Sequence, residues 1–120
     1  MSNKKVLLAE DDVTMVSLLK TLLKMEGFDI VSIHADANVV EEIKKENPAV
    51  LLLDFHLGAQ NGLDILDEIR NQEATRNVKV IMSSGASVKE ECMNRGANGF
   101  LLKPYMPDDL INLLKQTISS

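Results

Sequence analysis

The residues best suited to chemistry in this sequence follow short apolar runs. Acidic residues come after the first and third of these runs, Ser84 follows the fourth, and Lys103 follows the fifth. The acids are Glu10, Asp11, Asp12 and Asp54. Carboxylates that share one site repel one another unless a cation lies among them, and Mg²⁺ accepts one or two carboxylates together with water and phosphate. A lysine and a hydroxyl facing such an ion would complete a phosphoryl-binding pocket with Asp54 at its centre.

The strands and helices that position these residues are predicted from two alternating patterns of apolar residues. Continuous apolar runs such as Val6–Ala9 are typical of strands buried on both faces. Between the runs, apolar residues recur at helical spacing, and Gly27 is a stop signal for the first helix. The predicted strands are 6–9, 28–33, 49–53, 78–82 and 99–102. The predicted helices are 13–25, 37–46, 63–71, a fourth from the capping box of Ser87 and Glu90 to Gly96, and a fifth from Pro107.

This alternation predicts an α/β fold with a parallel sheet and helices on both faces. Connections between parallel strands are right-handed, and the chain is too short for an eight-unit barrel. In such a sheet, ligands bind beyond the carboxyl ends of the strands. The acids, Ser84 and Lys103 are therefore expected to meet at one edge, within a single domain that spans residues 1–120.

Composition excludes several classes of protein. The 120 residues carry 13 Lys and Arg against 18 Asp and Glu, a net charge of −5 that disfavours direct binding to nucleic acid. The apolar share of 45% disfavours disorder. Cys92 is the only cysteine, so no internal disulfide is expected and the cytoplasm is the favoured location. No apolar run approaches the roughly 20 residues of a membrane span, and no signal peptide or membrane contact is expected.

In order and spacing, these residues resemble the receiver domain of two-component response regulators, of the single-domain, chemotaxis-regulator-like type. The resemblance covers essentially the whole chain. The matching features are Glu10 with Asp11, Asp54 after an apolar strand, Gly62 eight residues later, Ser84 followed by Gly85, and Lys103 followed by Pro104. Each feature is weak alone, but together they are specific. The resemblance implies a flavodoxin-like (βα)5 fold, a doubly wound five-stranded parallel sheet of order 2-1-3-4-5.

The resemblance also implies a role for each acid. Asp54 is expected to attack a phosphohistidine of a sensor histidine kinase or histidine phosphotransfer protein and to become an acyl phosphate. Asp11, Asp54 and the backbone carbonyl of His56 would bind Mg²⁺, with Glu10 acting directly or through a water. The protein would then be no enzyme in the usual sense, but a phospho-acceptor that assists its own phosphotransfer and dephosphorylation.

The remaining site residues are implied to form a switch. Lys103 would pair with a phosphoryl oxygen, a partner expected to be present only in the modified state, and the Ser84 hydroxyl would bind another oxygen. Phe100 would turn inward when that hydroxyl moves. A downstream protein target would then bind the face formed by the fourth helix, the fifth strand and the fifth helix, including Phe100, Leu102 and Tyr105.

Three residues depart from the usual pattern of this family. Gly58 stands where proline is common, which favours a more mobile loop. Phe100 lacks the hydroxyl of the commoner tyrosine, so only burial of its ring can report the switch. Ser84 replaces threonine at little chemical cost. None of these changes removes a catalytic group.

Other interpretations of the same residues lead to other functions. Asp12 is explained by capping of the first helix, and Cys92 by a small buried side chain. A flavin-binding electron carrier would need a hydroxyl- and glycine-rich loop where this chain has acids. A phosphatase of the haloacid dehalogenase kind would need an acid at position 56, which is His56. A phosphorylation-independent interaction module on the same fold remains the alternative function.

Overall fold

Strands and helices alternate along the chain in the structure, a computed structural model that describes residues 3–119. The strands are β1 Lys5–Ala9, β2 Asp29–Ser32, β3 Val50–Asp54, β4 His56–Leu57, β5 Gln60–Asn61, β6 Lys79–Ser84 and β7 Gly99–Leu102. The helices are α1 Val13–Met25, α2 Val39–Glu46, α3 Gly62–Asn71, α4 Lys89–Asn94 and α5 Pro107–Ser119. Each apolar run that predicted a strand forms one.

The five longer strands form one parallel sheet in the order β2-β1-β3-β6-β7. Leu52 of the central strand β3 lies opposite Leu8 of β1 on one side and Ile81 of β6 on the other. Numbered among themselves along the chain, these strands have the order 2-1-3-4-5, so the predicted fold is confirmed. All carboxyl ends lie at the same edge because every pairing in this sheet is parallel.

Two hydrophobic clusters lie on opposite faces of the sheet, because successive side chains of a strand point to opposite sides. Leu7 belongs to the cluster under α2, α3 and α4, and its neighbour Leu8 belongs to the cluster under α1 and α5. Cys92 of α4 is fully buried in the first cluster, which confirms the prediction of a small core side chain. The sheet is thereby fixed between two layers of helices.

Asp12 begins α1 as its N-cap. The Asp12 Oδ1 accepts a hydrogen bond of 3.0 Å from the backbone N–H of Met15, which confirms the predicted capping role. Asn38 and Asn61 cap α2 and α3 in the same way. Of the three consecutive acids after β1, the third therefore serves the helix, and Glu10 and Asp11 remain for the site.

The capping box predicted for α4 is wrong. The first helical hydrogen bond runs from the Cys92 N–H to the Val88 carbonyl at 3.0 Å, so Val88 is the N-cap and makes no side-chain capping bond. Ser87 lies one residue before the N-cap, and its hydroxyl is therefore out of register with the N–H that a capping box requires. The helix is only six residues long and ends at Asn94.

A short antiparallel ribbon follows β3 and had no counterpart among the predicted elements. Its strands β4 and β5 have two residues each, too few for a detectable period. Gly58 is the first of the two residues that join them, and its φ of +58° matches the position at which a type II′ hairpin turn needs glycine.

The longest helices, α1 and α5, have 13 residues each and bury only one side. Leu19 and Leu23 of α1 and Leu110 and Leu114 of α5 face the sheet, while the opposite sides are exposed. Within residues 3–119, no helix combines the length and apolar character that crossing a membrane requires.

Candidate functional site

Three carboxylates meet at the carboxyl edge of the sheet. Glu10 and Asp11 directly follow β1, and Asp54 ends the adjacent strand β3, so the sheet itself brings them together. One oxygen from each lies within 4.8 Å of the others. Glu10 and Asp54 are only 6% and 7% exposed, whereas Asp11 is open to solvent. The convergence predicted from the strand ends is therefore present.

Lys103, which follows β7, reaches across the edge to these acids. Its Nζ lies 2.8 Å from Glu10 Oε1 and 3.1 Å from Asp54 Oδ2. The expectation that this ammonium has a partner only in a modified state is wrong, because the two carboxylates already hold it. Its three N–H donors can serve both acids and keep one donor for a further acceptor.

Burial and ion pairing both affect the pKa values of Glu10 and Lys103. Burial raises the pKa of the Glu10 carboxyl above its ordinary value, although hydrogen bonds from Lys103 and the Asp12 N–H oppose this. Burial acts to lower the pKa of Lys103, but the hydrogen bonds to Glu10 and Asp54 outweigh it and raise that pKa. The ammonium therefore stays charged at neutral pH.

The charge of the cluster fits a divalent cation. Three carboxylates against one ammonium leave two negative charges when all are ionised. The clustered ligand atoms are all carboxylate oxygens, a set that suits a hard ion such as Mg²⁺ better than zinc. The acidic residues Glu10, Asp11 and Asp54 thus fit a Mg²⁺ site, as the resemblance to receiver domains implies for a phospho-acceptor aspartate.

Asp11 also holds the ribbon after β3. Its Oδ2 accepts a hydrogen bond of 3.1 Å from the Gly58 N–H. A Cβ at Gly58 would lie 3.0 Å from the Ala35 Cβ, and the positive φ disfavours other residues in any case. Glycine at this position therefore lets the turn approach both Asp11 and the loop after β2.

Gly62 is required by its close approach to the segment that carries Asp54. A Cβ there would lie 2.6 Å from the Asp54 carbonyl oxygen and 2.8 Å from Phe55 backbone atoms. The Gly62 N–H donates to the Phe55 carbonyl at 2.6 Å. The start of α3 is thus packed directly against the backbone of the acceptor strand, which accounts for glycine eight residues after Asp54.

Ser84 ends β6, the strand beside the one that Asp54 ends, and within residues 3–119 no hydrogen bond joins the Ser84 hydroxyl to the three acids. The buried Ser84 Oγ accepts a hydrogen bond of 3.1 Å from the Ala86 N–H, and its carbonyl accepts one of 2.8 Å from the Lys103 N–H. Phe100 of β7 is half-buried and packs against the cluster under α2, α3 and α4. The backbone, not the hydroxyl, therefore connects Ser84 to Lys103.

His56 lies in β4, two residues beyond Asp54, with its side chain exposed. The neighbouring Phe55 ring meets the imidazole edge-on, with 4.9 Å between centroids. The Phe55 N–H donates to the Ser83 carbonyl at 2.7 Å, so the backbone leaves β3 while still attached to β6. This hydrogen bond fixes the position of the Phe55 backbone, and with it the direction in which the chain continues to His56.

Tyr105, which was predicted to belong to the face formed by the fourth helix, the fifth strand and the fifth helix, is only partly exposed in the structure. Its ring is half-buried against the cluster under α1 and α5, and its buried hydroxyl has no hydrogen-bond partner among residues 3–119. Burial raises the pKa of this phenol to about 12, with a smaller contribution from the charge of Glu10. In the sequence, the only indication that Tyr105 lies near the acidic site was its position two residues after Lys103.

Comparison with known proteins finds relatives that match most of the chain. A family model described as response regulator receiver domain matches residues 6–115. The transcriptional regulatory protein CpxR of Klebsiella pneumoniae is 32% identical over 107 residues, which cover 89% of this chain and 46% of that protein. The chain therefore spans about half the length of the curated relatives it matches.

Solved structures share the fold over nearly the full chain. The receiver domain of the Francisella response regulator 1452 has a TM-score of 0.88 and 26% identity, covering 98% of each chain. The receiver domain of the sensor histidine kinase PA1611 from Pseudomonas aeruginosa PAO1 has a TM-score of 0.84 and 24% identity, covering 99% of this chain and 100% of that one. That second structure has a magnesium ion coordinated in its active-site cleft.

Proposed function

Since the chain belongs to the response regulator receiver domain family, we propose that Asp54 accepts a phosphoryl group from a phosphohistidine of a sensor histidine kinase or histidine phosphotransfer protein. The observation that supports this most strongly is a buried carboxylate at the end of the central strand, with the Lys103 ammonium 3.1 Å from its Oδ2. A carboxylate oxygen attacks phosphorus, the phosphorus–nitrogen bond breaks, and imidazole leaves. Asp54 then carries an acyl phosphate.

Glu10, Asp11, Asp54 and the backbone carbonyl of His56 are the groups that would hold Mg²⁺. When bound, the ion supplies charge neutralisation for a phosphoryl group that approaches an acidic site. Asp11 is the exposed member of the cluster and is therefore the carboxylate that an ion from solvent meets first. The hydrogen bond from Gly58 orients it.

Lys103 and Ser84 act on the phosphoryl oxygens. Lys103 donates to one oxygen, which replaces its present hydrogen bond to the Asp54 carboxylate. The Ser84 hydroxyl leaves its turn with Ala86 and donates to another oxygen. Positioning and electrostatic stabilisation of this kind supply most of the rate in phosphoryl transfer. The same groups assist the later attack of water on phosphorus, which restores Asp54.

The signal leaves the site through the face formed by α4, β7 and α5, here termed the output face. Phosphorylation adds roughly −1.5 to −2 charge, and movement of Ser84 opens space into which the Phe100 ring turns. Leu102 and Met106 are 48% and 68% exposed on or beside β7, which suits binding of a protein target. The net charge of −5 disfavours direct contact with nucleic acid, and the cytoplasm, where such kinases act, is the location we propose.

Phosphorylation is tested by incubation with Mg²⁺ and acetyl phosphate, followed by intact mass measurement. Wild type should gain one phosphoryl group, and Asp54→Asn should gain none, because an amide is nearly isosteric but a far poorer nucleophile. Asp64→Asn is the matched control, since Asp64 is exposed in the first turn of α3 and should leave the gain intact. A stable gain on Asp54→Asn, or none on wild type, would contradict the assignment.

The output face is tested with beryllofluoride and Mg²⁺, which imitate the phosphoryl group, by recording amide resonances. We expect shifts around Asp54 and across the output face, and smaller shifts on that face in Phe100→Ala. Shifts confined to the surroundings of Asp54 would contradict the switch. Partner binding that is identical with and without phosphorylation would favour the alternative, a phosphorylation-independent interaction module.

A further inference from the structure

The ribbon of β4 and β5 connects the acidic site with the loop after β2. Its strands have two residues each and would not be stable alone, because an isolated hairpin is marginal in water at best. In the turn of the ribbon, the Gly58 N–H donates to Asp11 Oδ2 at 3.1 Å. Proline, which is common at this position in the family, has no N–H and could not make this bond. The bond therefore needs both a residue other than proline and a ribbon that is held in place.

Gln60 attaches the ribbon to the loop after β2. Its Nε2 donates to the Ala35 carbonyl at 2.7 Å and to the Ala37 carbonyl at 3.0 Å. The half-buried side chain thus uses both donors of its amide group on this one loop. Gly58 contacts the same loop, because a Cβ at Gly58 would lie 3.0 Å from the Ala35 Cβ. The loop, the ribbon and Asp11 are therefore joined by a continuous set of contacts.

We propose that Gln60 is a positioning residue of the metal site, which holds the Gly58 N–H against Asp11 and thereby orients the Asp11 carboxylate. The inference rests on the function proposed above, since it concerns the acids that would hold Mg²⁺. The side chain of Asp11 is exposed, so without this hydrogen bond it would be free to take several rotamers. A carboxylate has about four acceptor sites, so Asp11 can keep this bond and still bind an ion.

The arrangement favours metal binding because it lowers the entropy cost. A side chain that becomes ordered only when the ion binds uses part of the binding free energy, whereas a side chain that is already held does not. Groups that orient the ligands of a metal typically contribute roughly ten- to hundredfold to its affinity. Gln60 acts one step further from the ion, through the Gly58 backbone, so its loss should weaken Mg²⁺ binding by about three- to tenfold.

The first test uses the whole chain without metal and observes the Gly58 amide by resonance position and hydrogen exchange. Gln60→Met removes both donors but keeps a neutral side chain of similar length. We expect the Gly58 amide to lose protection and its proton resonance to move upfield, because its bond to a carboxylate is weakened. Asp11→Ala should cause the same loss, and adding Gln60→Met to it should change little, since both substitutions act on one hydrogen bond.

The second test measures the affinity for Mg²⁺ by titration of the amide resonances with MgCl₂. Gln60→Met should bind Mg²⁺ about three- to tenfold more weakly than wild type. Gln72→Met is the matched control, because Gln72 is also half-buried but follows the far end of α3, and it should change neither the Gly58 amide nor the affinity. An unchanged Gly58 amide in Gln60→Met, or an affinity equal to that of wild type, would overturn the inference alone. Absence of Mg²⁺ binding to wild type would overturn the proposed metal site and, with it, the role of Gln60.

Discussion

The Nζ of Lys103 lies 3.1 Å from the Oδ2 of Asp54. The same ammonium lies 2.8 Å from Glu10, so it is a structural counter-ion of the resting site as well as the donor proposed for the phosphoryl group. The side chains of Glu10 and Asp54 are 4% and 9% exposed, which makes their charges costly without it. Loss of Lys103 should therefore have two separable effects.

Lys103→Ala should destabilise the resting domain by about 1–3 kcal/mol, because two buried carboxylates lose their hydrogen-bonded counter-ion. It should also reduce the amide shifts that beryllofluoride produces on the output face. Urea unfolding at neutral pH without Mg²⁺ measures the first effect, and amide spectra measure the second. If beryllofluoride shifts the amide resonances of the output face as much in Lys103→Ala as in wild type, Lys103 does not couple the site to that face.

The control for Lys103→Ala is Lys115→Ala. Lys115 pairs with Glu26 at 2.9 Å, but the two side chains are 56% and 40% exposed. Solvent screens such a pair, so the variant should lose less than about 1 kcal/mol. Equal losses in the two variants would mean that burial of the carboxylates does not matter.

Substitutions of the adjacent acids Asp11 and Asp12 should have different effects, one on phosphorylation and the other on stability. Asp11→Ala should abolish Mg²⁺-dependent phosphorylation with little loss of stability, because Asp11 is exposed and belongs to the acidic cluster. Asp12→Ala should retain phosphorylation and lose about 1 kcal/mol, because its side chain caps α1. Intact mass and urea unfolding of both variants check this. Full phosphorylation of Asp11→Ala, or of wild type in excess chelator, would refute the metal role.

The fold was predictable because its signals are local and strong. The helix α1 has the bounds expected from the sequence, Val13–Met25, since Asp12 caps its start and Gly27, with φ +91°, follows its end. The start of α4 was not predictable from the pair Ser87 and Glu90, because the N-cap is Val88, whose side chain packs against the cluster under α2, α3 and α4. A ribbon of two-residue strands is too short to leave a period in the sequence.

The site was predictable in position but not in contacts. Parallel strands bring residues that follow them to one edge, so Glu10, Asp54 and Lys103 could be placed together without coordinates. The pairing of Lys103 with both acids, and the inward position of the Tyr105 hydroxyl, depend on the rotamers of side chains from different elements. Sequence spacing carries no information about those rotamers.

Gly62→Ala should destabilise the domain by about 1–3 kcal/mol and impair phosphorylation. The new Cβ would lie 2.6 Å from the Asp54 carbonyl oxygen, a backbone atom that cannot move aside without shifting the acceptor. Gly85→Ala is the matched control, because a Cβ at Gly85 meets no atom within 4 Å and its φ is not positive. Urea unfolding and intact mass measure both effects. A Gly62→Ala protein as stable as Gly85→Ala would show that the start of α3 relaxes freely.

The single tyrosine gives the last prediction, a loss of stability at alkaline pH. The pKa of Tyr105 is raised from an ordinary value of 10.0 to about 12 in the folded protein, chiefly by burial. The folded state therefore holds the phenolic proton more tightly than the unfolded state. This contribution is complete below the ordinary pKa of 10.0 and is lost as the pH rises through about 12.

The phenolate absorbance should appear near pH 12 in the native protein and near pH 10 in urea. Tyr105→Phe should show a shallower fall in the free energy of unfolding between these two values. The lysines, which also titrate in that range, are the same in both proteins, so the difference between the two curves belongs to the phenol. Native and unfolded absorbance curves that coincide would mean that the Tyr105 hydroxyl is exposed to solvent in the folded protein, against its burial in the structure.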